Sequence, residues 1–561
     1  MKLLSILLLL TGFTHGVILP QGTEYFRHGV ASGDPLPDGI ILWTRITPSE
    51  DDLPGRVAED RPDIEVGYEI ATDENFSHII HSGTTLAQAA SDYTIKVDPR
   101  QLTPATNYYY RFTYQGTQSL VGRAKTAPED SSPAGTRFGL VSCANYEAGL
   151  FSAYRYLAQR EDLDFILHGG DYIYEYPHNV YPAPAEAGRV HDPLVEIINL
   201  EHYRRRHAKY KADLDLQLLH QKVPFICTWD DHESTNDSHR TGAENHTEGD
   251  EGNWIQRQSW AYQAYFEWMP IRLPDPTHAP QRIYRNWQYG SHVELITLDL
   301  RQYRDAPPSQ AELIAGATDR TNLGPEQKTW FKNVLSESSA TWKLINNAHM
   351  ITPVDLPALA VPDVREAIEA FASEGVSPLN SLTLGQPYNT DQWDGFPDER
   401  QEILDHLDEQ DINNVAFLTG DIHSLWACEV PKNKTAYKLP ASALNPDGER
   451  AVAIEIVCPS ITSDNLNEIL GAEPRTLTLA VEETFMAQNP WIKDIELDSH
   501  GFTVVDVNAD RIRADWFFIS DRAARNPSLK FYRGYTADAW DLTGAGEAAI
   551  VEETENRLPP R

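Results

Sequence analysis

The sequence predicts two unlike folded parts in tandem: an all-β sandwich over residues 25–128 and an α/β domain over residues 137–525. Three observations carry this division. In the first stretch, short apolar runs alternate with turns and side chains recur with period two. In the second, apolar strand-like runs alternate with helical stretches, as in an α/β sheet. Between them, residues 127–136 are rich in Pro, Ser, Asp and Gly, and the pattern changes across this linker. A chain of 561 residues is long enough to bury several cores.

Taken in order, residues 1–16 carry Lys2, an apolar run from Leu3 to Leu10 and small residues near Gly16, the layout of a secretory signal peptide. The run is too short to cross a bilayer. Strands are expected at 39–46, 64–70, 93–97 and 107–114. In the last of these Tyr108, Tyr110, Phe112 and Tyr114 fall on one face. The stretch LTPATNYYYRF resembles the tyrosine-corner entry of immunoglobulin-like sandwiches, so a fibronectin type III-like module is expected. Beyond the linker, 149–159, 200–220 and 254–268 read as helices. Residues 176–187 and 352–397 read as loops or insertions that could rim a site. A β pair follows at 501–507 and 512–519. Residues 526–561 read as a C-terminal tail, with the acidic run 547–555 as a short helix.

The formal charge of −36 argues against nucleic acid or an anionic membrane as partner. Acidic residues are spread along the chain, which reads as a solvated surface. The same charge opposes phosphate substrates at long range unless bound cations reverse the sign locally. After the first segment no run approaches eighteen apolar residues, so no transmembrane anchor is expected and the mature protein reads as secreted. Four cysteines are too few for a disulfide scaffold, although in an exported protein each reads first as half of a bridge. Cys143, at the end of the apolar run 138–141, reads instead as a metal thiolate, which leaves at most one bridge among Cys227, Cys428 and Cys458. Asn75, Asn245 and Asn433 head glycosylation sequons for a eukaryotic host, and a fourth, Asn236, lies among the candidate site residues.

Three further clusters follow apolar runs. LHGGDYIYEY holds Asp171 and Tyr174, TWDDHESTN holds Asp230, Asp231 and His232, and LTGDIHSLWA holds Asp421 and His423. A strand delivers its last residues to one edge of a sheet, so several strands can aim their ligands at one point. Carboxylates, imidazoles and a phenol gathered there meet the needs of a multi-metal hydrolytic site. Any one Gly-Asp after a strand is most often an ordinary turn. Three acid-bearing strand ends in one chain favour a shared centre.

Those motifs, with FRHGVASGDPLPDGIILWTRITP, SCANYEAGLFSAY, YRRRHAKY, CPSITSDNL and HGFTVVDVNADRIRADWFF, run in order from about residue 26 to 520 and resemble the PhoD-like family of secreted alkaline phosphatases and phosphodiesterases. The resemblance implies a sandwich followed by a four-layer α-β-β-α metallophosphoesterase domain holding Fe3+ and Ca2+, with other divalent metals as substitutes. Carried over by residue, it makes Cys143, Asp171, Tyr174 and His423 the iron ligands. Asp171, Asn236 and Asp421 would hold calcium, with Asp171 bridging. Thiolate, phenolate and imidazole suit a ferric centre, and carboxylate and amide oxygens suit a hard cation. Asp231 and His232 stand where related metallophosphoesterases have Asn-His and are the candidate catalytic pair. His232 would protonate the leaving alkoxide or orient a ligand from behind.

Arg205 is read as a substrate contact or, with Arg204, Arg206 and His207, as a solvated helix face. His349 departs from the family pattern and is an added ligand, a substrate contact or a neutral substitution. The expected reaction is metal-assisted, in-line hydrolysis of phosphomonoesters, phosphodiesters or both, without a phospho-enzyme. A phospholipase D-type phosphodiesterase, with phospholipid as partner, is the runner-up. A non-catalytic extracellular binding protein is the reading from another class; a chelating residue at every ligand position speaks against it.

Overall fold

The apolar runs become the inner strands of two sheets packed face to face. The computed structural model describes residues 24–181, 187–272, 282–356, 387–437, 451–540 and 548–553. The expected signal peptide and parts of 176–187, 352–397 and 547–555 lie outside the described residues. In a seven-stranded sheet, Val293–Thr297, Trp342–Asn347, Val415–Thr419 and Ala451–Val457 run parallel side by side. All four are buried throughout, which suits the nearly unbroken apolar runs Val415–Thr419 and Ala451–Val457, while Trp342–Asn347 also buries Lys343, Asn346 and Asn347. In a ten-stranded sheet, Thr136–Val141, Phe165–His168 and Phe225–Cys227 run parallel at the centre.

Phe138, Leu140, Phe165 and Leu167 from the larger sheet share a core with Leu295, Leu344, Phe417 and Ile456 from the smaller. The opposite face of the larger sheet packs against the helices Ser152–Ala158, Leu200–Lys211, Leu214–Lys222 and Trp254–Trp268. Phe331 of Gly324–Glu337 and Leu404 of Pro397–Glu409 pack into the core that the smaller sheet shares.

Several elements differ from expectation. The helix expected over 200–220 is two helices, because the Asp213 side chain accepts from Asp215 N and Leu216 N and starts a new one. The expected tail is not loose: Leu529–Asp538 pairs along the whole of Arg511–Ile519 and widens the larger sheet. Within the acidic run, Val551–Glu553 is a strand on Gly534 to Thr536 and not a helix. An open sheet edge offers it backbone partners at once, whereas so short a segment cannot repay helix nucleation.

The N-terminal region is all-β, and its strands divide between two sheets. Ile64–Ala71, Ile79–Ala87, Asn107–Tyr114, Thr117–Gln118 and Gly122–Lys125 form one. It packs through Val66, Ile70, Tyr108, Tyr110 and Phe112 onto Ile40, Leu42 and Ile95. Those three belong to Gly39–Arg45 and Thr94–Val97, which with Val30–Leu36 complete the ten-stranded sheet. The joint is Gly33 paired with Phe225. A Cβ at Gly33 would lie 2.1 Å from the Pro270 carbonyl oxygen and 2.6 Å from that of Phe225, so only glycine lets the strands meet there. Trp43 Nε1 donates to the Glu267 carbonyl at 2.9 Å across the same junction. Among the described residues no helix is long and apolar enough to cross a membrane.

Candidate metal centre

Four parallel strands end at one edge of the two sheets, and each is followed within a few residues by a chelating side chain. Thr136–Val141 leads to Cys143, Phe165–His168 to Asp171, Phe225–Cys227 to Asp230 and Asp231, and Val415–Thr419 to Asp421 and His423. To turn these side chains inward the backbone enters the left-handed region at Cys143 (φ 57°), Asp171 (56°), Asp421 (68°) and His423 (51°). Asp and His tolerate that region better than most residues, and Cys143 is the unusual member. The loops converge on a cleft of about 200 Å3 lined by Asp171, Asp231, His232, Asn236, Asp421 and His423, with Tyr176, Tyr181, Leu466 and Ile469 on its walls.

One set of donors is mixed in chemistry. Ligand atoms of Cys143, Asp171 and His423 lie within 4.8 Å of one another. The Tyr174 hydroxyl sits among them, 3.0 Å from Asp171 Oδ2 and 3.1 Å from His423 Nε2. Ser463 Oγ meets the same hydroxyl at 2.7 Å and the Cys143 carbonyl at 2.9 Å. His423 Nδ1 donates to the Asp464 carbonyl at 2.9 Å, which leaves the lone pair on Nε2 facing the cluster. Burial holds this imidazole down to about 3, so it is neutral and ready to ligate. Burial first, and the Asp171 charge second, push the Cys143 thiol and the Tyr174 phenol well above their ordinary values. A cation bound among them would reverse that order by favouring the deprotonated forms.

The second set is rich in oxygen. Asp171, Asp231 and His232 form one group within 4.8 Å, and Asp230, Asp231 and Asp421 another. Asp171 thus belongs to both the mixed set and this one. Its buried Oδ1 accepts no hydrogen bond, and neither does Asp230 Oδ2. A buried carboxylate oxygen without a donor is costly, and a cation at that point would satisfy it. The donors present therefore fit a metal centre. Asn236, half-buried at the cleft, donates through Nδ2 to Glu244 at 3.3 Å, which leaves its amide oxygen to offer.

Residues outside the expected set hold this arrangement. The Glu233 carboxylate accepts from the backbone of Asp171, Tyr172 and Asp230, and so locks two of the loops together. Glu175 Oε2 lies 2.7 Å from His232 Nδ1, and its Oε1 accepts from Asn236 N at 2.8 Å and Asn245 Nδ2 at 3.0 Å. Burial would raise Glu175, but the His232 charge and these bonds outweigh it and hold the carboxyl at about 2. Burial would likewise lower His232, yet Glu175, Asp231 and Asp171 raise it well above its ordinary value. The imidazole stacks on Tyr174 with centroids 4.1 Å apart. Arg301, fully buried, pairs with Asp230, Asp231, Asp391 and Asp421.

Arg205 and His349 are not brought to the cleft. Arg205 is paired with Asp192 and Glu201 on the helix surface. His349 is buried, with Nε2 3.0 Å from Asn322 Nδ2. The basic stretch is not a solvated face either. Arg204 is buried against Glu267, and buried Arg206 donates to the carbonyls of Tyr174, Tyr176, Pro193 and Val195, fixing the loop that carries Tyr174. All four cysteines are buried and unpaired, so the disulfide that composition allowed is not formed.

Glu175 lies in GDYIYEY and Glu233 in TWDDHESTN, where the sequence shows the carboxylates but not their partners. Arg301 follows the apolar strand Val293–Thr297 by four residues, the same strand-end signal that marked the acids. Asp391 lies in a loop with no such signal.

The PhoD-like phosphatase family matches residues 138–516, and the N-terminal domain of PhoD-like phosphatases matches residues 15–128. The chain is 34% identical over 512 residues to alkaline phosphatase D of Bacillus subtilis (strain 168), covering 89% of this chain and 78% of that protein. It is also similar to the solved structure of PhoD, with a TM-score of 0.78 and 30% identity over 95% of this chain and 93% of that one.

Proposed function

We propose a metal-assisted, in-line hydrolysis for this chain, which belongs to the PhoD-like phosphatase family and is a phosphoric ester hydrolase. The observation that carries the reading is Asp171, whose buried Oδ1 lacks a donor and which belongs to two donor sets of different chemistry. Ferric iron would be held by Cys143, Asp171, Tyr174 and His423, and calcium, or another divalent cation, by Asp171, Asn236 and Asp421. The chemistry these cations supply is charge neutralisation at the phosphoryl oxygens and acidification of water.

The chain's own residues do the rest. His232, oriented by Glu175 and lining the cleft, gives its proton to the leaving alkoxide. Asp231 is held by donation from His232 N at 3.0 Å and Asp237 N at 2.7 Å, so its carboxylate faces the centre in a fixed pose. Tyr176, Tyr181, Ile422, Leu466 and Ile469 give the cleft an apolar wall suited to the alcohol part of an ester. That wall favours a second reading beside the monoesterase: a phosphodiesterase of phospholipase D type, with phospholipid among its substrates.

The catalytic domain spans 137–525, here extended by the strand Leu529–Asp538, and the preceding sandwich spans 25–128. The paired sheets with helices on their outer faces favour the four-layer arrangement. A fibronectin type III-like sandwich is favoured by Tyr108, whose hydroxyl accepts from Thr103 N at 2.8 Å as a tyrosine corner does. Residues 1–16 would direct secretion.

The test is optical and catalytic together. Purified protein should be coloured by phenolate- and thiolate-to-iron charge transfer and should bleach with dithionite. Tyr174→Phe should shift or weaken the band while retaining iron. A colourless, fully active zinc protein would remove the iron assignment. Monoesters, diesters and phospholipids assayed side by side would choose between the two substrate readings.

A further inference from the structure

Arg301 occupies an unusual place for a guanidinium. It is fully buried against the residues that line the cleft, and its donors are divided between two carboxylates held closely and two at longer range. Nε donates to Asp230, and Nη1 donates to Asp391 Oδ2 at 2.7 Å. These are its anchors. Nη2 is left facing Asp421 Oδ1 at 3.4 Å and Asp231 Oδ1 at 3.6 Å, both longer contacts, and these two carboxylates line the cleft together with Asp391.

Arg304 braces the arrangement from behind. Its Nη2 meets Asp391 Oδ1 at 2.6 Å, Nη1 donates to the Asp391 carbonyl, and Nε donates to the Ser238 carbonyl. The group holds four carboxylates, Asp230, Asp231, Asp391 and Asp421, against two guanidiniums. Asp171 and Asp237 line the same cleft, so carboxylates outnumber guanidiniums on this side of it.

We infer that Arg301 is a positioning residue for the oxygen-rich half of the centre, a permanent internal cation that tethers Asp231 and Asp421 in the metal-free protein and leaves their remaining oxygens free for a hard cation in front of them. The inference rests on the proposal that this side of the cleft takes a hard cation. Carboxylates brought within a few ångströms at a buried site repel one another strongly, and without a counter-charge the loops after Phe225–Cys227 and Val415–Thr419 would separate. A guanidinium suits the task because its planar fork reaches several carboxylates at once and stays charged at every working pH. Its anchors keep it behind the carboxylates, so it need not leave when a cation arrives.

The experiment uses full-length protein stripped of metal, with Arg301→Met and Arg301→Lys beside the parent. Melting is followed by calorimetry, and calcium chloride binding by titration calorimetry. Stripped Arg301→Met should melt several degrees below the stripped parent, and saturating calcium should recover most of that gap, because the added cation takes over the neutralising role. Arg301→Lys keeps the charge but loses the fork, so its calcium affinity should fall by about tenfold, roughly 1.4 kcal/mol.

Equal melting of the stripped proteins would overturn the inference. So would a gap that calcium leaves untouched, which would make Arg301 ordinary core packing. A lysine variant with parental affinity, or a parent that binds no calcium, would overturn it as well. Should Arg301→Met fail to fold, the lysine affinity decides alone. A parent that binds calcium yet hydrolyses no ester would sink the catalytic reading and leave this one standing.

Discussion

Glu175 does not line the cleft, yet it decides the state of a residue that does. Its carboxylate is fully buried, is held at about 2 chiefly by His232 working against burial, and meets His232 Nδ1 at 2.7 Å. The imidazole is thereby kept protonated, with Nε2 the nitrogen free to meet a leaving group. An acid catalyst loses activity as pH rises through its pKa. Glu175→Gln removes the negative charge but keeps the shape, so the His232 value should fall. The alkaline limb of the pH–kcat profile should then move to lower pH by about one unit or more. An unchanged alkaline limb would show that His232 is not the acid. Tyr174 and Ser463 make a similar point for the mixed donor set. The one phenolic proton faces both Asp171 Oδ2 and His423 Nε2, while Ser463 donates to the phenol oxygen, so a cation at this point would supply the partner that one of the two acceptors lacks.

At the scale of elements, the site is built from short turns that follow parallel strands, and one turn is tighter than the rest. Gly170 has φ 116°, a conformation L side chains rarely adopt. A Cβ there would lie 2.5 Å from Asp230 Cβ and 2.8 Å from Asp230 N. The loops carrying Asp171 and Asp230 touch through this missing side chain, and Glu233 then binds both backbones. Gly170→Ala should separate them, lower the metal content and reduce kcat/KM by about a hundredfold. Gly169→Ala is the control, since its Cβ would meet nothing closer than 3.7 Å. Metal analysis of the two variants checks this, and equal metal content would show that the turn does not set the ligand geometry.

At the scale of the whole molecule, the junction between the N-terminal strands and the second domain holds two lysines, Lys211 buried and Lys96 half-buried, with no carboxylate at ion-pair distance among the described residues. Lys96 Nζ donates to the carbonyls of Phe266 and Ile271, and Lys211 Nζ meets Tyr172 OH and His220 Nε2, each at 3.1 Å. Burial pulls each amine down to about 7. Each folded-state value lies below the unfolded one, so unfolding takes up protons between about pH 7 and the ordinary lysine range near 10. Stability should therefore rise with pH across that window, and the penalty for the buried charge is present in full below it. Melting temperature measured from about pH 7 to about pH 10 should climb more steeply for the parent than for Lys96→Met. Identical slopes would remove the lysine as the cause. The neutral amine still donates to both carbonyls, so alkaline conditions relieve the charge without opening the junction.

The sequence by itself determined several of the strands and helices, the all-β then α/β division, and the chelating residue types at the strand ends. Those signals are local: a period of two, a buried apolar run, an Asp or His just after it. The strand 107–114 and the helix 254–268 match the observed elements to the residue for this reason. Only the tertiary structure decided which distant groups meet. Glu175 reaches His232 across 57 positions and Arg301 reaches Asp421 across 120, and no local pattern encodes such pairings. The same holds for Arg205 and His349, whose residue types suit a phosphate site but whose places in the fold lie away from it. The sheet shared through Gly33 and Phe225 was hidden too, because a strand's period states which face is buried and not which strand lies beside it.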